Sequence, residues 1–137
     1  DVTIQAQILE LMRELQQSED MSVIYITHNM AVVAETVDRV YVMYLGRVVE
    51  SSPTKNLFAN PLHPYTRLLH QAIPVPDPRA RRLGPPAITD DAPPPEEGCL
   101  FYPRCPERFD RCRERRPELL DQETEHRVAC IRREERL

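Results

Sequence analysis

Residues that build tight turns and large cores are scarce in this sequence, which has 3 glycines, no tryptophan and 3 phenylalanines among 137 residues, against 14 prolines. The apolar side chains crowd into the first half, so the second half cannot bury enough surface for much of a core. No segment approaches the ~20 apolar residues that cross a bilayer as a helix, and no charged-then-apolar stretch opens the chain in the manner of a signal peptide. Peripheral attachment to a membrane complex remains compatible with this. An excess of positive charge is also missing. The formal net charge is −4, so there is no broad cationic field to grip a phosphate backbone, and nucleic acid is not an expected partner. No internal repeat is visible. Residue 1 is Asp1 and already sits in a helical pattern, so the sequence is expected to start inside a structure, as part of a larger protein.

What is present reads as mixed α/β. Ile4, Ile8, Leu11, Met12 and Leu15 make an apolar stripe at helical spacing from Asp1 to about Gln17. Ser18-Glu19-Asp20 breaks it. Val23 to Ile26 reads as a buried parallel strand, and Met30, Val33, Ala34 and Val37 predict a second helix. Val40 to Tyr44 and Val48 to Glu50 predict a hairpin whose turn, Leu45-Gly46-Arg47, puts glycine where φ is positive. Helices are expected from Pro53 to Ala59, ended by Asn60-Pro61, and from Pro64 to about Ala72. This order makes half of a mixed α/β domain, spanning residues 1–73. Residues 74–97 hold eight of the prolines and read as an extended linker, partly polyproline-II. Residues 98–137 carry all four cysteines.

Two features bear chemistry. His28 ends the apolar run Ser22-Val23-Ile24-Tyr25-Ile26-Thr27, and in open α/β sheets ligands gather beyond the carboxyl ends of strands. A histidine there can meet a ligand or merely satisfy a nearby carbonyl. The second feature is the cysteine set: Cys99, Cys105, Cys112 and Cys130 are separated by five, six and seventeen residues. Two disulfides in any of three pairings are one option. In a reducing compartment metal binding is the commoner use of such a set. Zinc usually takes a tight pair with two to four intervening residues, which is absent here, whereas an iron–sulfur cubane is larger and can be reached from wider loops. Six arginines between Arg104 and Arg116 face three acidic residues, and that local excess would offset the negative charge of four thiolates around either metal centre. Spacing leaves zinc and iron–sulfur open.

Asp1-Val2-Thr3-Ile4-Gln5-Ala6-Gln7-Ile8-Leu9, Ile24-Tyr25-Ile26-Thr27-His28-Asn29 and Val42-Met43-Tyr44-Leu45-Gly46-Arg47-Val48-Val49-Glu50 resemble the end of an ABC transporter ATPase subunit. The run Leu57 to Leu69, containing His63-Pro64-Tyr65, is similar to the dipeptide/oligopeptide permease branch of that family. So are Gly98-Cys99-Leu100-Phe101, Arg104-Cys105-Pro106, Cys112 and Val128-Ala129-Cys130, which resemble its carboxyl-terminal extension. The resemblance implies an α/β fold: the carboxyl-terminal portion of an ABC-type nucleotide-binding domain followed by an irregular, metal-stapled Cys-rich extension.

It further implies that Asp1 lies in the loop crossing the ATPase dimer interface and that His28 is the switch histidine contacting the γ-phosphate of Mg-ATP. By the same resemblance Cys99, Cys105, Cys112 and Cys130 would hold a [4Fe-4S] cluster, with Zn²⁺ as the alternative. The implied partners are a second ATPase subunit, transmembrane permease subunits and, indirectly, a substrate-binding protein, at the cytoplasmic face of the membrane. The sequence has no G-x-x-x-x-G-K-[ST] loop, no serine-glycine signature and no Mg²⁺-binding acidic pair. By the resemblance these would precede Asp1, and the chain alone is expected to bind ATP negligibly. A free-standing, metal-stapled interaction module built on residues 98–137 is the rival expectation.

Overall fold

The computed structural model describes residues 2–73, 92–123 and 125–134. They fall into two compact units that divide between Val37 and Asp38.

The first unit is helical. Helix α1 spans Val2–Glu19 and ends as its composition requires, with Asp20 at φ 51° and the Met21 N–H reaching back to the Gln16 carbonyl at 3.3 Å. That is a Schellman-type stop, in which a short polar residue takes the left-handed position. Helix α2 spans Met30–Thr36 and is capped by Asn29, whose side-chain oxygen accepts from the N–H groups of Ala31 and Val32. Arg13 joins the two helices by donating to the Glu35 carbonyl at 3.0 Å.

The strand expected at Val23–Ile26 is not formed. Residues 21–27 have no regular structure, and Ile24 and Ile26 are 90% and 98% exposed. A parallel strand is held only by the hydrogen bonds and apolar faces of its neighbours. No strand among the described residues pairs with this run, so its β-branched composition has nothing to act on.

The second unit is built on an antiparallel sheet of four strands in the order β1-β2-β4-β3. Strands β1 (Arg39–Tyr44) and β2 (Arg47–Pro53) form the expected hairpin. Its two-residue turn places Leu45 at φ 44° and Gly46 at φ 77°, the mirror-image turn whose twist suits the strands. Pairing runs Met43 to Val48 and then Val42 to Glu50, leaving Val49 as a bulged extra residue. Past the bulge, β2 buries Val49, Glu50, Ser51 and Ser52 in succession. Helices α3 (Thr54–Ala59) and α4 (Pro64–Gln71) follow, α3 closed by Asn60.

Residues 98–137 were expected to be irregular, but they supply half of the sheet. Strand β3 is Leu120–Glu123 and strand β4 is His126–Val128, with Glu50 opposite Val128 and Ser51 opposite Arg127. Short helix α5, Ile131–Glu134, follows. A segment with too little apolar surface for its own core thus gains one by pairing with β2, where Val128 and Ala129 are buried beside Val49. Phe101 is the centre of the packing: its ring lies 5.1 Å from that of Tyr44, 5.4 Å from Tyr65 and 5.7 Å from His63, centroid to centroid. Edge and tilted contacts of this kind add to what area burial alone supplies.

Beneath that cluster sits Glu50, fully buried. Its Oε1 accepts the Leu62 N–H at 2.7 Å, its Oε2 accepts the His63 N–H at 2.9 Å, and His126 Nε2 meets Oε1 at 2.7 Å. A carboxylate oxygen accepts, so the His126 ring donates from Nε2. One side chain thereby holds the turn before α4 and strand β4 to the middle of the sheet. Truncating it as Glu50→Ala would strand two buried N–H groups and a buried imidazole, and urea unfolding is expected to show a loss of about 3–5 kcal/mol. A loss below about 1 kcal/mol would mean that the three donors find other acceptors.

Candidate functional site

All four cysteines are free, and they come from three different local structures. Cys99 precedes a 3-10 turn at Tyr102–Arg104, Cys105 caps the end of that turn, Cys112 lies in a second one at Asp110–Arg113, and Cys130 stands directly before α5. A main-chain bond from the Cys99 N–H to the Cys112 carbonyl at 2.8 Å draws the two turns together, and the first is closed by the Tyr102 N–H on the Cys99 carbonyl at 3.0 Å. Gly98 permits this approach. A methyl group there would stand 2.7 Å from the carbonyl oxygens of both Cys112 and Arg113, closer than backbone can yield.

The four side chains line one small cavity together with His63, Pro64, Phe101 and Ile131. Burial pushes up the pKa of Cys99 and Cys130, with the neighbouring thiols adding to the effect, and pushes Cys105 up to about 12. Backbone N–H groups oppose this: those of Phe101 and Tyr102 at Cys99, Glu107 at Cys105, and Arg132 and Arg133 at Cys130. Two guanidinium groups also border the cavity. Arg108 stacks on Tyr102 at 5.6 Å and donates to the Pro103 carbonyl, and Arg132 stacks on Phe109 at 5.1 Å and donates to the Glu107 carbonyl at 3.0 Å. Partly buried and with raised pKa, Cys99, Cys105 and Cys130 are held as neutral thiols.

Among the described residues no group of three or more His, Cys, Asp or Glu side chains is gathered as tightly as a single metal ion requires. The expected metal-stapled, Cys-rich extension is therefore not shown, neither as a zinc site nor as an iron–sulfur site.

The other expected site residues lie elsewhere. His28 is exposed in the first unit, between Thr27, whose hydroxyl accepts the Asn29 N–H at 3.0 Å, and the Asn29 cap of α2. Asp1 lies outside the described residues. Glu50 and His126 escaped the sequence reading: the first looked like the end of a strand, and its partner is 76 residues away, with no spacing rule to connect them. His63-Pro64-Tyr65 has a local role that explains its order. His63 Nδ1 accepts the Tyr65 N–H at 3.1 Å as the cap of α4, and Pro64 takes the first helical position, where no N–H is needed. Arg67, on the same helix, pairs with Glu107 at 2.7 Å, tying α4 to the loop after Cys105.

With this arrangement in place, residues 49–112 match the family described as the oligopeptide/dipeptide transporter, C-terminal region. The matched span runs from the bulge of β2 through α4 to Cys112, so it holds Glu50, the His63 cap and three of the four cysteines.

Its curated relatives are peptide ABC transporter ATP-binding proteins. The chain is 49% identical over 132 residues to a probable peptide ABC transporter ATP-binding protein of Sinorhizobium fredii, covering 95% of this chain and 37% of that protein. It is 46% identical over 138 residues to the oligopeptide transport ATP-binding protein AppD of Bacillus subtilis, covering 98% and 42%. It is likewise 46% identical over 134 residues to the di/tripeptide transport ATP-binding protein DppF of Pseudomonas aeruginosa, covering 95% and 41%. The chain thus spans about two-fifths of the length of these relatives.

His63 also gives the fold a pH dependence. Burial, and secondarily the Arg67 charge, lower its pKa from 6.5 to about 4. The unfolded chain takes up this proton near pH 6.5 and the folded chain only near pH 4, so the associated stability is complete above pH 6.5 and is lost as pH falls toward 4. The loss amounts to about 3 kcal/mol. In the metal-free chain, urea midpoints measured between pH 7.5 and 4.5 are expected to fall more steeply than in His63→Asn, whose side-chain oxygen keeps the cap without titrating. Parallel curves would contradict this.

Proposed function

We propose that the chain is the carboxyl-terminal segment of the ATP-hydrolysing subunit that powers peptide import by an ABC transporter. The observation that carries this reading is the alignment of almost the whole chain, at 46–49% identity, with ATP-binding proteins of peptide transporters. In the complete subunit His28 would donate a hydrogen bond to the γ-phosphate of Mg-ATP, orienting it and spreading the charge that develops as phosphoryl transfer proceeds. Exposure of the His28 side chain in this unit is compatible with a contact made to a ligand. Asp1 would lie at the interface with a second ATPase subunit. The complex would sit on the cytoplasmic face of the membrane against permease subunits, with a substrate-binding protein delivering the peptide; no described helix is long and apolar enough to cross the membrane.

Cys99, Cys105, Cys112 and Cys130 would hold a [4Fe-4S] cluster, with Zn²⁺ as the alternative, a reading supported by the four residues lining one cavity. Such a cluster supplies a cross-link between distant turns and a one-electron couple. The protein contributes the N–H donors at Cys99, Cys105 and Cys130, and the Arg108 and Arg132 charges that offset the thiolates.

In the full-length protein assembled with its permease, His28→Ala is expected to lower ATP turnover by about 100-fold or more while leaving nucleotide affinity little changed. Wild-type turnover in that variant would remove His28 from the reaction. For the cysteines, anaerobic purification followed by metal analysis should find about four irons per chain with broad visible absorbance, lost in Cys105→Ala. One zinc per chain, or no metal, would reject the cluster.

A further inference from the structure

His28 is exposed, and among the described residues its imidazole makes no hydrogen bond, ion pair or ring contact. Its backbone, by contrast, is held from both sides. The Thr27 hydroxyl accepts the Asn29 N–H at 3.0 Å, and that bond closes a small ring containing both soft dihedrals of His28. Asn29 is fixed in turn. Its side-chain oxygen accepts the Ala31 N–H at 3.1 Å and the Val32 N–H at 3.4 Å, and its carbonyl accepts the Val33 N–H at 3.2 Å. At φ −86° and ψ 97° Asn29 is extended rather than helical, so His28 stands clear of α2 while remaining tied to it. Capping accounts for Asn29 but not for Thr27. A helix start needs acceptors for the N–H groups of its first turn, and the N–H of the cap residue is not one of them. Among the described residues the Thr27 hydroxyl serves only the link across His28. Together the two side chains set the direction of the His28 Cα–Cβ bond and leave every imidazole atom open to a ligand.

Resting on the reading of His28 as the γ-phosphate contact, we propose that Thr27 and Asn29 are positioning residues for phosphoryl transfer, bracing the His28 backbone so that its imidazole meets the γ-phosphate in a preset geometry. The physical reason is entropic. An exposed side chain on a loose backbone must be ordered as the transition state forms, whereas on a fixed backbone only its two side-chain torsions remain to be settled. A donor out of place by ~1 Å stabilises the developing charge poorly. The brace acts on turnover rather than on nucleotide affinity, because this chain carries no phosphate-binding loop and His28 is one contact among those a bound nucleotide makes. Thr27 and Asn29 touch neither nucleotide nor water in this role. They act through the residue between them.

The test uses the full-length protein assembled with its permease, with ATP turnover and nucleotide binding measured separately. Thr27→Val keeps the side-chain shape and removes the acceptor, and Asn29→Ala removes the cap. Each is expected to lower kcat by about 10-fold while changing KM for ATP by less than about twofold. Thr27→Ser and Asn29→Ser put back an uncharged acceptor and should recover most of the lost turnover. Each truncation is then repeated in His28→Ala, where the brace has no imidazole left to aim, and turnover should fall no further than in His28→Ala alone. Where Asn29→Ala fails to fold, Asn29→Gly, which starts a helix nearly as well without a side chain, takes its place; Thr27→Ala stands in for Thr27→Val on the same terms. Wild-type kcat in both truncations, beside a His28→Ala protein that has lost turnover, overturns the proposal and leaves the role of His28 standing. Equal fold-losses with and without the His28 imidazole also overturn it, since they mark a general effect of the helix start. Wild-type turnover in His28→Ala overturns the reading of His28, and this proposal with it.

Discussion

The second unit depends on one buried carboxylate. Glu50 sits in the central strand of the sheet with no exposed surface, and its three donors come from the turn before α4 and from strand β4. Burying a charge is costly unless every oxygen is satisfied, so the position of each donor is set by the carboxylate as firmly as by packing. The cost selects a geometry. Leu62 and His63 must present consecutive N–H groups to the two oxygens, which orients His63 as the cap of α4, and His126 must lie beside β2, which aligns β4. The bulge at Val49 is part of the same device, because it alters the facing of β2 just before Glu50.

The cysteine cavity inherits its shape from that arrangement. Cys130 follows β4 by two residues, and Cys99, Cys105 and Cys112 are held in turns around Phe101, which packs on His63 and Tyr65. Neither turn has a core of its own. They are held by hydrogen bonds to carbonyls, by the Arg67–Glu107 pair and by stacking of Arg108 and Arg132 on aromatic rings, interactions that are individually modest. A cation bound by all four sulfurs would add the cross-link that a core-poor segment lacks.

Local elements were legible where local physics suffices. The stripe of Ile4, Ile8, Leu11 and Leu15 marked α1, Leu45-Gly46 marked the hairpin, and Pro53, Asn60 and Pro64 bracketed α3 and α4 close to their observed limits. The Val23–Ile26 run misled, because a strand is an agreement between segments and its composition says nothing of whether a neighbour is present. Strands β3 and β4 were not visible at all. Leu120–Glu123 and His126–Val128 are short and largely polar; β4 becomes a strand by pairing with β2, and β3 by pairing with β4.

By itself the sequence determined the helices and their stops, the hairpin turn, the four cysteines at wide spacing and a pattern of residues similar to peptide-transporter ATPases, because each of these rests on neighbours within a few positions or on composition. The tertiary structure alone decided that the carboxyl-terminal segment completes the sheet, that the four cysteines face one cavity, and that Glu50 meets His126 across 76 residues. Contacts between segments so far apart follow from the need to satisfy buried polar groups in three dimensions, a requirement that has no period along the chain.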